Sequence, residues 1–373
     1  MFIPQELDQI IAHGLSEKEI KKQLQIFHDG APFTHVTRAV GVENGVEVYD
    51  MATQKQLATY YDSQKEQKEI IKFVPASGAA TRMFKYLHAF LDNYDPDQEK
   101  LTPYLKSKKL DALKTFIDNI KYFPFTSLVQ KEIRKHKPNY KKSKKGYRIN
   151  SFVSLMLGKK HLNYAGLPKG LIPFHKYTKY TRTAFEEQLF EATQYAAVDG
   201  VAHLHFTFSP KHVQLFKQTY DRVKNSIKRK TKVEVQISYS FQDSSTDTIA
   251  VTLKNKPFKD KEGKLVFRPS GHGALIKNLN QIDADVIFIK NIDNVMVETH
   301  IDTIAFNKKM PAGRLSHLQH QRLGYVDASG TDHVPEEECR ERKACVRTDR
   351  HVLEITQTTA GTDENMNRTI HVS

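Results

Sequence analysis

The sequence predicts an α/β layered fold with a mostly parallel sheet. Three observations carry that prediction: short apolar or alternating runs at 69–74, 201–208, 232–239 and 285–289 read as strands; segments of helical periodicity separate them; and no long linker or internal repeat interrupts the alternation. The chain has 373 residues with 39% apolar content, enough for a sizeable core.

The elements follow in order. Residues 3–28 read as helix, restarted after His13-Gly14 by Ser16-Glu-Lys-Glu19, which fits a capping box; Ile20, Leu24 and Phe27 then recur at helical spacing until Asp29-Gly-Ala-Pro32 stops the run. Residues 53–68 are a polar helix. Residues 69–74 form a buried strand that turns at Pro75-Ala-Ser-Gly78. Met83, Leu87, Phe90 and Leu91 mark one face of a helix over 80–92, starting near Thr81. Residues 100–165 are helical and basic, with Leu110, Leu113, Phe116 and Ile117 on one side. The clearest amphipathic helix spans 183–197. The strand at 201–208 precedes a helix opened by Pro210 and running to about Ile227. Strands at 232–239 and 248–253, a short helix at 274–279 and a strand at 285–289 complete the pattern. This organisation divides into a helical N-terminal segment (1–68), a core (69–310) with a helical insertion (93–165), and a tail (311–373).

The tail differs from the body. Residues 1–310 contain 41 Lys and 8 Arg, whereas 311–373 contain 1 Lys and 7 Arg; all 21 Phe precede residue 311 and both Cys follow it. With no sustained apolar period it offers little to bury, so disorder is expected, and a shifted reading frame or a recently acquired end would explain the change in usage. Cys339 and Cys345, with His351 nearby, lack the second ligand pair of a zinc site.

A net charge of +14 allows nucleic acid, a membrane surface or small anions as partners. The densest basic run, 134–148, contains the turn pair Pro138-Asn139 and no helical apolar face. It reads as a solvated loop; Tyr140 and Tyr147 are thin support for base stacking, so nucleic acid is not the expected partner. No apolar run approaches the ~20 residues of a membrane span, and no basic flank with an apolar stretch opens the chain, so a cytoplasmic protein is expected.

Four blocks carry chemistry. After the first strand, Ser77-Gly-Ala-Ala-Thr-Arg82 offers small residues whose amides can approach phosphate oxygens, and an Arg that can grip phosphate in two places; alone it reads equally as a tight turn with a surface Arg. It matches neither a dinucleotide nor a P-loop pattern. In Pro168-Lys-Gly170, flanking turn residues fix Lys169, which by itself could be a surface lysine. Gly271-His-Gly273 exposes backbone against which a flat base can lie; His272 either orients a ligand or caps the following helix. Asp293-Asn294 ends a buried strand, where a carboxylate can hold Mg²⁺ or cap a turn.

Taken together, Gly78-Ala-Ala-Thr-Arg82, Pro168-Lys-Gly170, Gly271-His-Gly273 and Asp293-Asn294 resemble the ordered motifs of sugar nucleotidyltransferases, nearest the UDP-sugar pyrophosphorylase branch. Residues 69–310 more narrowly resemble an uncharacterised bacterial family, domain of unknown function 4301. The resemblance implies a GT-A-like nucleotidyltransferase core. It implies Arg82 and Lys169 as catalytic residues and Asp293 as the Mg²⁺ ligand. Ser77, Gly78, Ala79, Ala80, Thr81, Gln242, Gly271, His272, Gly273 and Asn294 would contact nucleotide. The implied substrates are a nucleoside triphosphate, UTP favoured, and a sugar-1-phosphate; a nucleotide-binding protein without turnover is the alternative. Two features depart from the family pattern: Ala80 stands where the loop usually has Gly, and about 85 residues separate the loop from Pro168-Lys-Gly170.

Overall fold

The computed structural model describes residues 2–329, apart from positions 32, 34, 43, 79, 81, 82, 108 and 109, together with 352–354. At its centre lies strand β1 (Ile70–Pro75). Strands β5 (Val201–Phe208) and β9 (Val286–Ile289) flank it on opposite sides, both parallel to it. Strand β6 (Glu234–Phe241) pairs parallel with the whole of β5, and β10 (Val352–Glu354) pairs parallel with β9. The sheet is mixed only because the two-residue β4 (Ala197–Val198) runs antiparallel to the start of β5. The α/β class and the dominant parallel pairing are therefore as expected.

The chain moves from β1 out to β5 and β6, then returns to β9 on the other side of β1. That reversal puts a topological switch point at the carboxyl ends of β1 and β9, the crevice position at which open α/β sheets bind ligands.

Alternation along β1 assigns its faces. Val74 joins Phe185, Leu189, Phe206, Phe208 and Phe216 under α9 (Ala184–Ala192) and α10 (Val213–Thr231). Ile70, Val286 and Phe288 pack with Tyr61, Ile304 and Leu315 of α3 (Met51–Gln64) and α12 (Ile301–Ser329). On the opposite face Phe73 and Ile287 meet Leu275 and Ile282 around α11 (Ile276–Asn280).

The insertion has its own core. Phe84, Phe90, Phe116, Phe152 and Met156 bury one another among α4 (Lys85–Asn93), α5 (Leu101–Ser107), α6 (Asp111–Asn119), α7 (Thr126–His136) and α8 (Lys145–Leu157). At the N-terminus, α1 (Pro4–Ala12) and α2 (Glu17–Asp29) pack Ile10, Leu15 and Ile20 on Ile249 and Leu265. Ser16 and Glu19 close the capping box expected at the start of α2.

Besides the basic run 134–148, whose ends are the last turn of α7 and the first turn of α8 and not loop, the structure departs from the sequence reading at five points. Helix α4 begins at Lys85, not near Thr81, because the Ala80 amide is drawn to the Leu167 carbonyl (3.1 Å) and a Met83–Ala80 turn precedes the helix. Helix α9 is buried on every side, its polar residues consumed by ion pairs rather than facing water. The strand expected at 248–253 shortens to β7 (Thr248–Ile249), paired with β8 (Phe267–Arg268). A hairpin of β2 (Pro173–Lys176) and β3 (Thr181–Thr183) carries no apolar alternation strong enough to announce it.

The fifth departure is at residue 311, the expected boundary of a disordered tail. It lies inside α12: Pro311 is within the helix, and Ala312 and Leu315 are buried. Short apolar side chains there pack against α3, which a composition count does not register. Residues Cys339, Cys345 and His351 lie outside the described residues. No helix among the described residues is long and apolar enough to cross a membrane.

Candidate functional site

Three of the four blocks converge at the crevice. After β1, the Ala76 amide bonds the Thr207 carbonyl (3.1 Å), carrying the chain to an exposed Gly78. The Gly78 carbonyl accepts the Lys169 amide (3.1 Å), so the first and second blocks are joined through backbone. Lys169 opens a single 3₁₀ turn, Lys169–Leu171. Gly170 is buried there, and a Cβ on it would stand 2.9 Å from Ile292 Cγ1 and 3.1 Å from Phe216. Only a glycine lets the second block close on the fourth.

The fourth block is held from below. Gln188 of α9, fully buried, donates its side-chain amide to the carbonyls of Asn291 (2.8 Å) and Ile292 (3.3 Å). An Asn294–Asn291 turn (3.1 Å) follows, and Asn294 is exposed. Lys169 Nζ and Asp293 Oδ2, 124 residues apart in sequence, meet at 2.7 Å with about a third of each side chain exposed (35% and 36%). One carboxylate oxygen of Asp293 is thus held by an ammonium, and the half-exposed carboxylate is a hard oxygen donor at the crevice. Such a donor fits Mg²⁺, which takes one or two carboxylates and completes its shell with substrate phosphates and water.

A match to the family model described as Domain of unknown function (DUF4301) covers residues 3–372. The chain belongs to this family. No curated protein and no solved structure matches it. The DUF4301 match runs past residue 311 to residue 372, so the change in residue usage does not mark the end of the family domain, and the resemblance is not confined to 69–310.

Within this DUF4301 chain, the remaining predicted residues divide. Ala80 faces inward: its methyl is fully buried in the core of the insertion and its amide is taken by Leu167. Its methyl and amide are therefore engaged within the protein, not open as a phosphate contact at this residue would require. Its neighbours Ala79, Thr81 and Arg82 lie outside the described residues, and Ser77 is half-buried. The third block sits against the other face of the sheet. Gly271 precedes a 3₁₀ turn, His272–Leu275, whose Leu275 packs on Phe73; Asn278 donates to Ser240 Oγ and the Phe241 carbonyl (both 2.8 Å). A Cβ on Gly78, Gly271 or Gly273 would meet nothing within 4 Å, so packing does not require glycine at these positions. Gln242 is engaged locally, with Thr246 (3.2 Å) and Asp247 (3.3 Å). Among the described residues, no hydrogen bond or ion pair links the third block or Gln242 to Lys169 or Asp293.

Sequence reasoning missed a buried charge cluster beneath the crevice. Glu191 of α9 accepts from Lys72 of β1 (3.0 Å), from Lys290 after β9 (2.6 Å) and from the Tyr195 hydroxyl (2.8 Å). Lys308 of α12 lies close enough for Lys290 to oppose its charge. All three lysines are at most 5% exposed, and one carboxylate serves them. Burial raises the Glu191 carboxyl, but the Lys72 and Lys290 ammoniums outweigh it and lower it to about 2. Desolvation pushes Lys72 down to about 7 against the pull of Glu191. The available signal was Lys72 and Lys290, each beside apolar strand positions where a lysine is costly unless paired.

Lys308 yields a pH prediction. Burial, then repulsion from Lys290, lowers it to about 8, whereas an unfolded lysine titrates at ~10.4. Between those values the unfolded chain binds the extra proton, so Lys308 makes stability rise with pH across that window and imposes its full cost below it. Lys308→Met is expected to stabilise the protein at pH 7 by about 1–3 kcal/mol. The gain should fade above about pH 8. Urea unfolding at pH 7 and at an alkaline pH checks this; a gain independent of pH would reject the electrostatic cause.

Proposed function

We propose that this DUF4301 protein is a Mg²⁺-dependent nucleotidyltransferase of the UDP-sugar pyrophosphorylase type, with a GT-A-like core. The observation that carries the reading is the Lys169–Asp293 pair at 2.7 Å beside the exposed Gly78, at the carboxyl edge where the strand order reverses. A cation-binding carboxylate and a fixed ammonium next to open backbone suit a chain of phosphates.

In the proposed reaction a phosphate oxygen of the sugar-1-phosphate attacks the α-phosphorus of the triphosphate. The new P–O bond forms as the bond from the α-phosphorus to the bridging oxygen breaks, and pyrophosphate carries away the electron pair. Protein groups need only align two anions and neutralise their charge. Lys169 Nζ offsets charge on the α-phosphate and the sugar phosphate. Asp293 holds Mg²⁺, which supplies charge neutralisation between phosphates when bound. Open backbone at Gly78 faces the nucleotide, and Gly271 meets the base by resemblance alone. Arg82 takes the leaving phosphates by resemblance alone.

The test is pyrophosphate release by the full-length chain over a panel of triphosphates and sugar-1-phosphates with Mg²⁺. Lys169→Met is expected to lower kcat by about 100-fold or more, the scale of removing one group that stabilises transition-state charge. Absence of turnover with every pair, together with no thermal shift from any triphosphate, would overturn the proposal.

A second reading is favoured by the same ion pair. Lys169 and Asp293 already neutralise each other, so the fold can bind nucleotide without turning it over. Thermal stabilisation by Mg²⁺–triphosphate without pyrophosphate release selects it; ligand at ~100 times Kd should add about 2.7 kcal/mol.

A further inference from the structure

We infer that the helical insertion carries a zinc-type divalent cation site made by Glu132, His136 and His161. Glu132 and His136 are one turn apart on α7, so both project from the same face. His161 comes from the loop that follows α8. One ligand atom from each of the three lies within 4.8 Å of the others. Bound at the ~2.0–2.2 Å typical of zinc, tetrahedral ligands stand about 3.3 Å apart, so small side-chain rotations complete the set.

The local chemistry prepares the three groups. Lys135 holds Glu132 Oε1 at 2.8 Å, leaving Oε2 turned towards His136 Nε2 at 3.4 Å. The His161 ring packs edge-on against His136 at 4.8 Å between centroids. Its Nδ1 is buried with no hydrogen-bond partner. An unpaired buried imidazole nitrogen is costly, and coordination through Nδ1 would give that atom its partner.

Two imidazoles and one carboxylate select a borderline cation such as Zn²⁺ over Mg²⁺ or Ca²⁺, which prefer all-oxygen shells. The fourth position is left to water. The site's place in the fold indicates its role. The loop bearing His161 continues to Leu167, whose carbonyl receives the Ala80 amide, and then directly to Pro168-Lys169. A cation there would staple the end of α7 to the segment that presents Lys169. This inference stands apart from the nucleotidyltransferase reading.

The test uses the untagged full-length chain, stripped with a chelator and titrated with Zn²⁺ against a chromophoric competitor. One equivalent is expected. Its affinity should fall by about 100-fold in His161→Asn and in His136→Asn, the upper end of what losing even an outer-shell partner costs. The His136 side chain is 46% exposed, so His136→Asn removes a ligand without opening the core. With Co²⁺ in place of Zn²⁺, visible bands without a thiolate charge-transfer band are expected. Unchanged affinity in both variants, no binding by the wild type, or a thiolate band that survives His136→Asn and so places the metal on Cys339 and Cys345, would each overturn the assignment.

Discussion

Glu191→Gln is expected to destabilise the protein by about 3–5 kcal/mol at pH 7, the scale of removing one partner from a buried charge pair. Glutamine keeps the size of the side chain and can still meet the Tyr195 hydroxyl. What it removes is the only carboxylate hydrogen-bonded to Lys72 (3.0 Å) and Lys290 (2.6 Å) among the described residues. Lys72 and Lys290 would then lie buried beside Lys308 with no hydrogen-bonded carboxylate to balance the charge they carry.

The pH dependence separates this cause from simple packing loss. Glu191 is lowered to about 2 in the folded chain. Its contribution is therefore complete above the ordinary carboxylate value, ~4.3, and is lost as pH falls from there towards the folded value. The variant should lack that acid limb. Urea unfolding at four pH values measures this limb. A loss below about 1 kcal/mol at pH 7 would mean that the cluster is not coupled.

The second large effect lies in α12. Gly313→Ala should cost about 2–3 kcal/mol, the range for forcing extra volume into a packed contact. A Cβ on Gly313 would sit 1.9 Å from the Leu57 carbonyl oxygen and 2.7 Å from its carbon, both backbone atoms of α3. Neither can rotate away, so the two helices must separate, disturbing Tyr61, Ala312 and Leu315 at the sheet. In an isolated helix the same change would gain about 1 kcal/mol from propensity. The sign of the measured change in thermal stability therefore decides whether α12 packs on α3 in solution; a rise in Tm would reject the contact. The expectation is notable for its location, in the segment whose composition suggested a poorly packed tail.

Parts of the fold were legible because their signals are local. Ser16 and Glu19 fix the start of α2 through their own side chains, and the alternation in Val201–Phe208 needs no partner to be read. The carboxyl-edge turns were likewise legible, since Pro168-Lys-Gly170 and Asp293-Asn294 interrupt apolar runs. Their meeting was not. It depends on Gly170 passing under Ile292, and on a buried Gln188 holding the loop at Asn291 and Ile292. Helix α9 shows the limit in another way. Its sequence reads as the clearest amphipathic helix, yet Glu187 binds His175 and Arg182, and Glu191 binds Lys72 and Lys290. Periodicity reports which side is polar, not whether the polar side meets water or buried cations.

By itself, then, the chain's pattern determined the α/β class, the main strands and the turns that end them, because spacing and turn chemistry are properties of neighbours in sequence. Only the tertiary structure decided that Lys169 and Asp293 meet as an ion pair, that Ala80 belongs to a core, that residue 311 lies within a packed helix, and that three lysines share one glutamate. Each of those depends on contacts between segments far apart in the chain, where close approach and burial, not local pattern, set the energy.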